Sequence, residues 1–284
     1  MRDMKKSKKY GWVLLVVFVI FIIWIAWGNT ALELNEYQIK SDKLPNAFLG
    51  FRIAQVSDLH NDEMGKDNRN LLRMLEKAKP DIIVMTGDII DSYETEVDVS
   101  LQFVEKAVKI APCYYVPGNH ESRLYKEVYL DFEEKIKSYG VCVLHDEAVL
   151  LEQAGEYISL AGIDDPIFAV QYDPDGDYST LGSIQNLNLG EEFQILLSHR
   201  PELFQMYVDA NVDLVFTGHA HGGQFRLPFI GGLFAPNQGY FPEYDAGLFV
   251  DGNTNMIVSR GIGNSLFPLR FNNRPEVVVV ELQH

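Results

Sequence analysis

The chain has 284 residues, 47% of them hydrophobic, which is enough for one large core and favours a single α/β unit over several domains. The net charge of −16 is unevenly placed: Arg2, Lys5, Lys6, Lys8 and Lys9 against Asp3 make the first ten residues basic, leaving 19 basic against 39 acidic side chains in the rest. A body that acidic repels a phosphate backbone, which argues against long nucleic acids, and a smaller phosphorylated ligand would need local positive charge of the kind bound divalent metals supply.

In chain order, the basic residues 1–10 precede an uncharged stretch, Gly11 to Trp27, whose 17 residues reach the short limit for a membrane-spanning helix. Tyr10, Trp12, Trp24 and Trp27 fall where interfacial aromatic belts occur, and the upstream positive charge predicts a cytoplasmic N-terminus. The stretch reads as a retained single-pass signal-anchor that leaves the body outside the cytoplasm; a cleaved signal and a buried core helix are the alternatives. Residues 28–49 are expected as a short tether, with one strand near Leu32 to Ile39. From Phe51 a rhythm begins: apolar runs at Phe51–Val56, Asp81–Met85, Cys113–Val116 and Val141–Leu144 alternate with helical periodicity at Asn68–Lys79, Val97–Ile110 and Glu121–Tyr139. Strands alternating with helices predict βαβ units and a largely parallel sheet.

After Glu147 the pattern turns strand-rich. Ala148–Glu152 and Tyr157–Ala161 predict a hairpin. Phe193–Leu197, a short helix from Glu202 and Asp213–Phe216 follow, then strands at Gly247–Val250, Asn255–Ser259 and Glu276–Leu282. The expected fold class is α/β, two packed mixed β-sheets flanked by helices and preceded by the transmembrane helix. Cys113 and Cys142, outside any C-x-x-C pattern, are read as two buried thiols, with one disulfide across neighbouring strands as the alternative.

Five polar clusters each directly follow an apolar run: Asp58-Leu59-His60, Gly87-Asp88-Ile89-Ile90-Asp91, Gly118-Asn119-His120-Glu121, Ser198-His199 and Gly218-His219-Ala220-His221. Carboxyl ends of strands in open α/β sheets form the crevice where ligands bind, so the clusters are expected to converge. Five of the seven histidines lie in them. Imidazole with carboxylate and no thiolate suits catalytic zinc, iron, manganese or nickel and argues against a closed structural zinc site.

The order D-x-H, G-D-x-x-D, G-N-H-E, H and G-H-x-H resembles the calcineurin-like metallophosphoesterases over about residues 50–284. Further on, G-H-A-H-G-G-Q, S-R-G-I-G and R-P-E are similar to the branch of membrane-associated bacterial members. The resemblance implies a metallophosphoesterase catalytic domain at 50–284 holding two divalent ions (Mn, Zn or Fe). Asp58, His60 and His221 would bind one ion, Asn119, His199 and His219 the other, and Asp88 would bridge them. His120 would face the leaving group, and Asp91 either orients a ligand or caps a helix. Phosphodiester or pyrophosphate hydrolysis is then expected, by a hydroxide held between the two ions, with lipid-linked or cell-envelope phosphoesters as one substrate class. Two other readings stand beside it: an extracytoplasmic phosphodiesterase or nucleotidase on soluble substrates, and a non-catalytic metal-binding scaffold at the membrane. The aromatic segment Gly222–Tyr244, with Phe229 and Phe234, is expected either to contact a membrane-borne substrate, with Arg226 as a phosphate contact, or to complete the core.

Overall fold

The computed structural model describes residues 2–172, 179–187, 189–264 and 267–284. Its first half holds α1 (Arg2–Thr30), β1 (Glu33–Lys40), β2 (Arg52–Val56), α2 (Arg69–Ala78), β3 (Ile82–Thr86), α3 (Val97–Ala107), β4 (Cys113–Val116), α4 (Asn119–Arg123), α5 (Lys126–Tyr139) and β5 (Cys142–Val143). The second half adds β6 (Glu147–Gln153), β7 (Glu156–Gly162), α6 (Pro166–Tyr172), α7 (Thr180–Asn186), β8 (Gln194–Leu197), α8 (Phe204–Asp209), β9 (Leu214–Thr217), β10 (Gly247–Asp251), β11 (Thr254–Val258) and β12 (Glu276–Gln283).

Two six-stranded mixed sheets result, in the orders β1-β12-β2-β3-β4-β5 and β10-β11-β9-β8-β7-β6. The central strands β2 to β5 and β7, β8, β9 and β11 run parallel; antiparallel partners sit at β12/β2, β10/β11 and β6/β7. Strand alternation divides the side chains among three apolar layers. In β3, Ile82 and Val84 face the opposing sheet while Ile83 and Met85 face α2, α3 and α5. In β8, Ile195 and Leu197 face the first sheet while Leu196 joins the layer under α7 and α8. This is the expected αββα sandwich.

Four local differences have physical causes. The helix expected over Glu121–Tyr139 is broken into α4 and α5, because Leu124 turns extended (ψ 155°) and sends its side chain into the first apolar layer. The hairpin β6/β7 closes on Ala154 and Gly155 alone, both at positive φ (51° and 84°), the pairing that matches strand twist. The strand expected in the tether is β1, which pairs parallel with β12 as the edge of the first sheet. Finally, α6 and α7 were not anticipated; a proline opens the first, and the Ser179 hydroxyl caps the second by accepting from Gly182 N–H. Both cysteines are free thiols, Cys113 buried and Cys142 half-buried.

From Tyr10 onward the helix α1 is largely exposed, and Tyr10–Thr30, 21 residues, is long and apolar enough to cross a membrane. Its end is fastened to the body. The Asn29 amide donates to Arg270 O (3.0 Å) and accepts from Arg270 N–H (2.7 Å), and the Arg274 guanidinium lies 4.8 Å from the Trp27 ring centre.

Candidate metal centre

The five polar clusters extend from the carboxyl ends of β2, β3, β4, β8 and β9, so both sheets contribute to one crevice, and all eight predicted site residues are buried there. Local conformation aims them. Asp58, His60, Asp88, His219 and His221 all adopt positive φ, from 46° to 65°, a conformation that costs on the order of 1–3 kcal/mol each in a non-glycine residue. The strain is held by cross-links between the loops: Asp58 N–H donates to Gly87 O (3.0 Å), His60 N–H to Asp88 O (3.0 Å) and Gly263 N–H to Asp58 O (2.7 Å). Gly118 is required by close approach, since a Cβ there would lie 2.6 Å from Asp88 N.

Potential ligand atoms form three groups among the described residues: one joins His60, Asp91 and His120, and the other two share Asp88. Asp58, His60, Asp88 and His221 each bring an atom within 4.8 Å of the others, and Asp88, His199 and His219 do the same. Within them, His60 Nε2 is 3.2 Å from His221 Nε2 and 3.7 Å from Asp88 Oδ2. His221 Nε2 is 3.4 Å from Asp58 Oδ1, and His199 Nε2 is 3.2 Å from Asp88 Oδ2 and 3.1 Å from His219 Nδ1. Rings whose nitrogens meet at such distances among carboxylates fit cations between them better than direct contact. Asn119 Oδ1 is buried without a hydrogen-bond partner, an orphan acceptor of the kind a cation satisfies. The residues therefore fit divalent cations, with Asp88 common to two of the groups.

Second partners fix which nitrogen is free. His60 Nδ1 lies 3.0 Å from Asp91 Oδ2 and His199 Nδ1 lies 2.8 Å from Thr86 O, so each donates there and leaves Nε2 for a metal. His219 Nε2 meets both Asn237 Oδ1 (3.0 Å) and the Arg200 Nη1 donor (2.8 Å), which call for opposite roles of that nitrogen, while Nδ1 is the atom that faces His199 Nε2. Asp91 also accepts from Tyr93 and Glu94 N–H, so it both orients a histidine and caps a turn.

The electrostatics are those of a metal site read without its cations. Burial would raise Asp88, but His199, His120 and His60 hold its carboxyl well below the usual range. Burial would lower His199, yet Asp88 and Asp58 raise it to about 10. Such a proton must leave before the ring can ligate, so metal affinity should rise with pH. Burial depresses His219 and His221 well below the ordinary histidine value, reinforced by Arg200 and His60 respectively. Burial likewise brings His120 down to about 4, which makes it a neutral ring. Its Nδ1 accepts from Ser92 N–H (3.1 Å), so the ring proton belongs on Nε2, even though Asp91 Oδ2 lies 3.5 Å from Nδ1.

Several residues of the site carried no sequence signal of their role. Glu121, within the third cluster, accepts four backbone N–H groups, from Asp88 (2.9 Å), Ile89 (2.8 Å), Ile90 (3.0 Å) and Gly118 (2.8 Å), and so ties two ligand loops together. Arg200 is buried against Asp165, with Nη1 2.8 Å from Asn237 Oδ1 and 2.8 Å from His219 Nε2. Arg270 Nη2 lies 3.5 Å from His221 Nδ1. Arg226, expected as a phosphate contact, instead braces its own loop through Gly222 O (2.9 Å) and Asp245 (3.0 Å). The aromatics of 222–244 do not complete the core as a group: Phe229, Phe234, Tyr240 and Phe241 are exposed.

A two-sheet sandwich with this centre defines a metal-dependent phosphohydrolase. A sequence profile of the calcineurin-like phosphoesterases matches residues 51–223, and the chain belongs to that family. It is 33% identical over 259 residues to the Bacillus subtilis (strain 168) protein named uncharacterized metallophosphoesterase YkuE, covering 89% of this chain and 86% of that one. It is 31% identical over 240 residues to phosphodiesterase YaeI of Escherichia coli (strain K12), covering 82% of each. A Danio rerio protein named transmembrane protein with metallophosphoesterase domain is 27% identical over 257 residues, covering 87% of this chain and 56% of its own.

Proposed function

We propose that the protein is a membrane-anchored phosphodiesterase or pyrophosphohydrolase whose two divalent cations are held by Asp58, His60 and His221 on one side and by Asn119, His199 and His219 on the other, with Asp88 shared. The observation that carries this reading is the single buried carboxylate of Asp88 belonging to two of the ligand groups beside the orphaned Asn119 oxygen. Bound there, divalent cations would neutralise phosphoryl oxygens and make a water acidic enough to attack near neutral pH.

The chain's own groups do the rest. Asp91 holds the His60 ring by its Nδ1, and Glu121 holds the Asp88 and Asn119 loops in register. His120, neutral and with its proton on Nε2, gives a hydrogen bond to the departing oxygen. Residues 1–10 lie in the cytoplasm and 11–27 cross the bilayer, which leaves the remainder, with β1 built into the catalytic sheet, on the outer side. The basic residues at the start of α1, ahead of the apolar stretch, support that orientation.

The assay is hydrolysis by the full-length chain in detergent, with Mn²⁺, of a chromogenic phosphodiester, a phosphomonoester and a pyrophosphate. Turnover of the diester or pyrophosphate well above the monoester is expected; monoester preference refutes it. Lipid-linked phosphoesters form a second substrate class, supported by the exposed rings of the segment that follows His221. Phe229→Ser with Phe234→Ser should then impair a lipid-linked substrate more than the soluble diester, and equal losses reject that class.

A further inference from the structure

The body reaches back along α1. Phe271 packs on Trp24 with ring centres 5.2 Å apart, edge to face, and on Phe21 at 6.4 Å. At 1.5 Å rise per residue, Trp24 and Phe21 lie about 9 and about 14 Å from the helix end at Thr30. The same ring stack continues into the body, from Phe271 to Phe225 (6.4 Å) and from Phe225 to Phe267 (5.5 Å). Phe267 itself is exposed, and on the same two segments Phe229, Ile230, Phe241 and Leu269 stand exposed too, Phe229 completely so. The segments carrying them are cross-linked, because Gln224 Nε2 donates to Phe267 O and Leu269 O at 2.9 Å and Arg226 N–H donates to Phe271 O at 2.9 Å. They are also tied to the metal centre: Asn273 Nδ2 donates to His221 O (2.7 Å) and to Gln224 O (3.1 Å).

We propose that residues 224–241 and 267–271 form a lip seated in the surface of the bilayer that α1 enters, so that the metal centre opens beside lipid. The inference rests on the reading of α1 as a membrane span. Depth selects lipid as the occupant. With residues 11–27 as the part that crosses the apolar core of about 30 Å, Trp24 and Phe21 lie about 5 and about 9 Å below its outer end, and any body residue packed on them is carried to the hydrocarbon boundary. Exposed apolar rings contiguous with a membrane helix need cover, and the lipid surrounding that helix supplies it. Arg274 over Trp27 sits one turn higher, at the level of the phosphates. A phosphoester reaching the crevice by way of the lip would come from within the membrane plane, as a headgroup on apolar tails.

The test uses full-length protein in phospholipid vesicles, with Cys142→Ala as background; burial raises the Cys113 thiol to about 12, so it does not label. Nitroxides are placed through Val17→Cys, Phe229→Cys, Leu269→Cys and, as a water-exposed control on the edge strand β6, Leu150→Cys. Collision of each label with oxygen, which concentrates in lipid, is compared with collision with a water-soluble nickel chelate. The oxygen-to-nickel ratio is expected to be severalfold higher at 17, 229 and 269 than at 150. A ratio at 229 and 269 equal to that at 150, with 17 still lipid-like, overturns the lip while leaving the span intact. A water-like ratio at 17 as well overturns both.

Discussion

Glu121→Gln isolates one carboxylate that holds two ligand loops. In the wild-type chain Oε1 accepts from Ile89 and Ile90 N–H, and Oε2 from Asp88 and Gly118 N–H, with the side chain wholly buried. Glutamine has the same shape, but one of its two positions is an NH₂ that meets two N–H donors. Whichever way the amide turns, two buried N–H groups lose their acceptor. At about 1–3 kcal/mol for each unsatisfied buried donor, the variant should lose about 2–6 kcal/mol of stability. For a chain of this size, where 1 kcal/mol is worth roughly 2–4 °C, the melting temperature should fall by about 4–24 °C. Either orientation loosens the 88–90 loop, at Asp88 N–H or at Ile89 and Ile90 N–H, so metal content and hydrolysis should fall with it. The assay is a thermal melt with metal analysis on the full-length chain in detergent. A melting temperature within about 2 °C of wild type, with metal content unchanged, would refute the argument that Glu121 ties the loops.

Other expectations follow from single contacts. His120→Ala should keep its metal and lose turnover by about 10²–10⁴-fold, whereas Asp88→Ala should lose both; two ions still bound to Asp88→Ala would remove Asp88 from the shared position. Gly118→Ala places a methyl 2.6 Å from Asp88 N, and the resulting overpacking, about 1–3 kcal/mol, should appear as weakened metal binding. A normal Mn²⁺ titration would show that the loop gives way freely. His145 lies outside the clusters. Burial lowers its pKa, but Asp164 at 2.7 Å and Glu133 at 3.2 Å outweigh it and raise it to about 9. Its contribution is complete below the unfolded value of about 6.5 and is lost as pH rises through about 9, worth at most about 3 kcal/mol. His145→Gln should therefore flatten the loss of stability between pH 6.5 and 9, read by melts across that range, and an unchanged slope would contradict it.

The site was legible because each metal-ligand candidate follows an apolar run, and parallel strands bring their carboxyl ends to one edge whatever the loops do. Asp58, Asp88 and His219 could be assigned to a crevice from position alone. What stayed hidden depends on pairings distant in sequence. Asp165 and Asn237 meet Arg200 across 35 and 37 residues, and Asn29 meets Arg270 across 241. Glu121 was visible as a letter of its cluster, but the four donors it accepts lie on two loops whose mutual approach no periodicity encodes. The break between α4 and α5 was invisible for a related reason: residues 121–139 have good helical periodicity, and the requirement that Leu124 leave the helix arises only from tertiary packing. The exposure of Phe229 is equally a tertiary fact, since composition alone gave its segment two destinations.

The central claim is a two-cation centre that hydrolyses phosphodiesters, and a titration of the metal-free, full-length chain with Mn²⁺ tests it most directly. Bound metal and diester turnover should rise together and level off at two ions per chain, with a chelator abolishing both and fresh Mn²⁺ restoring them. Turnover that persists in chelator, or that stays absent when two ions are bound, would contradict the account.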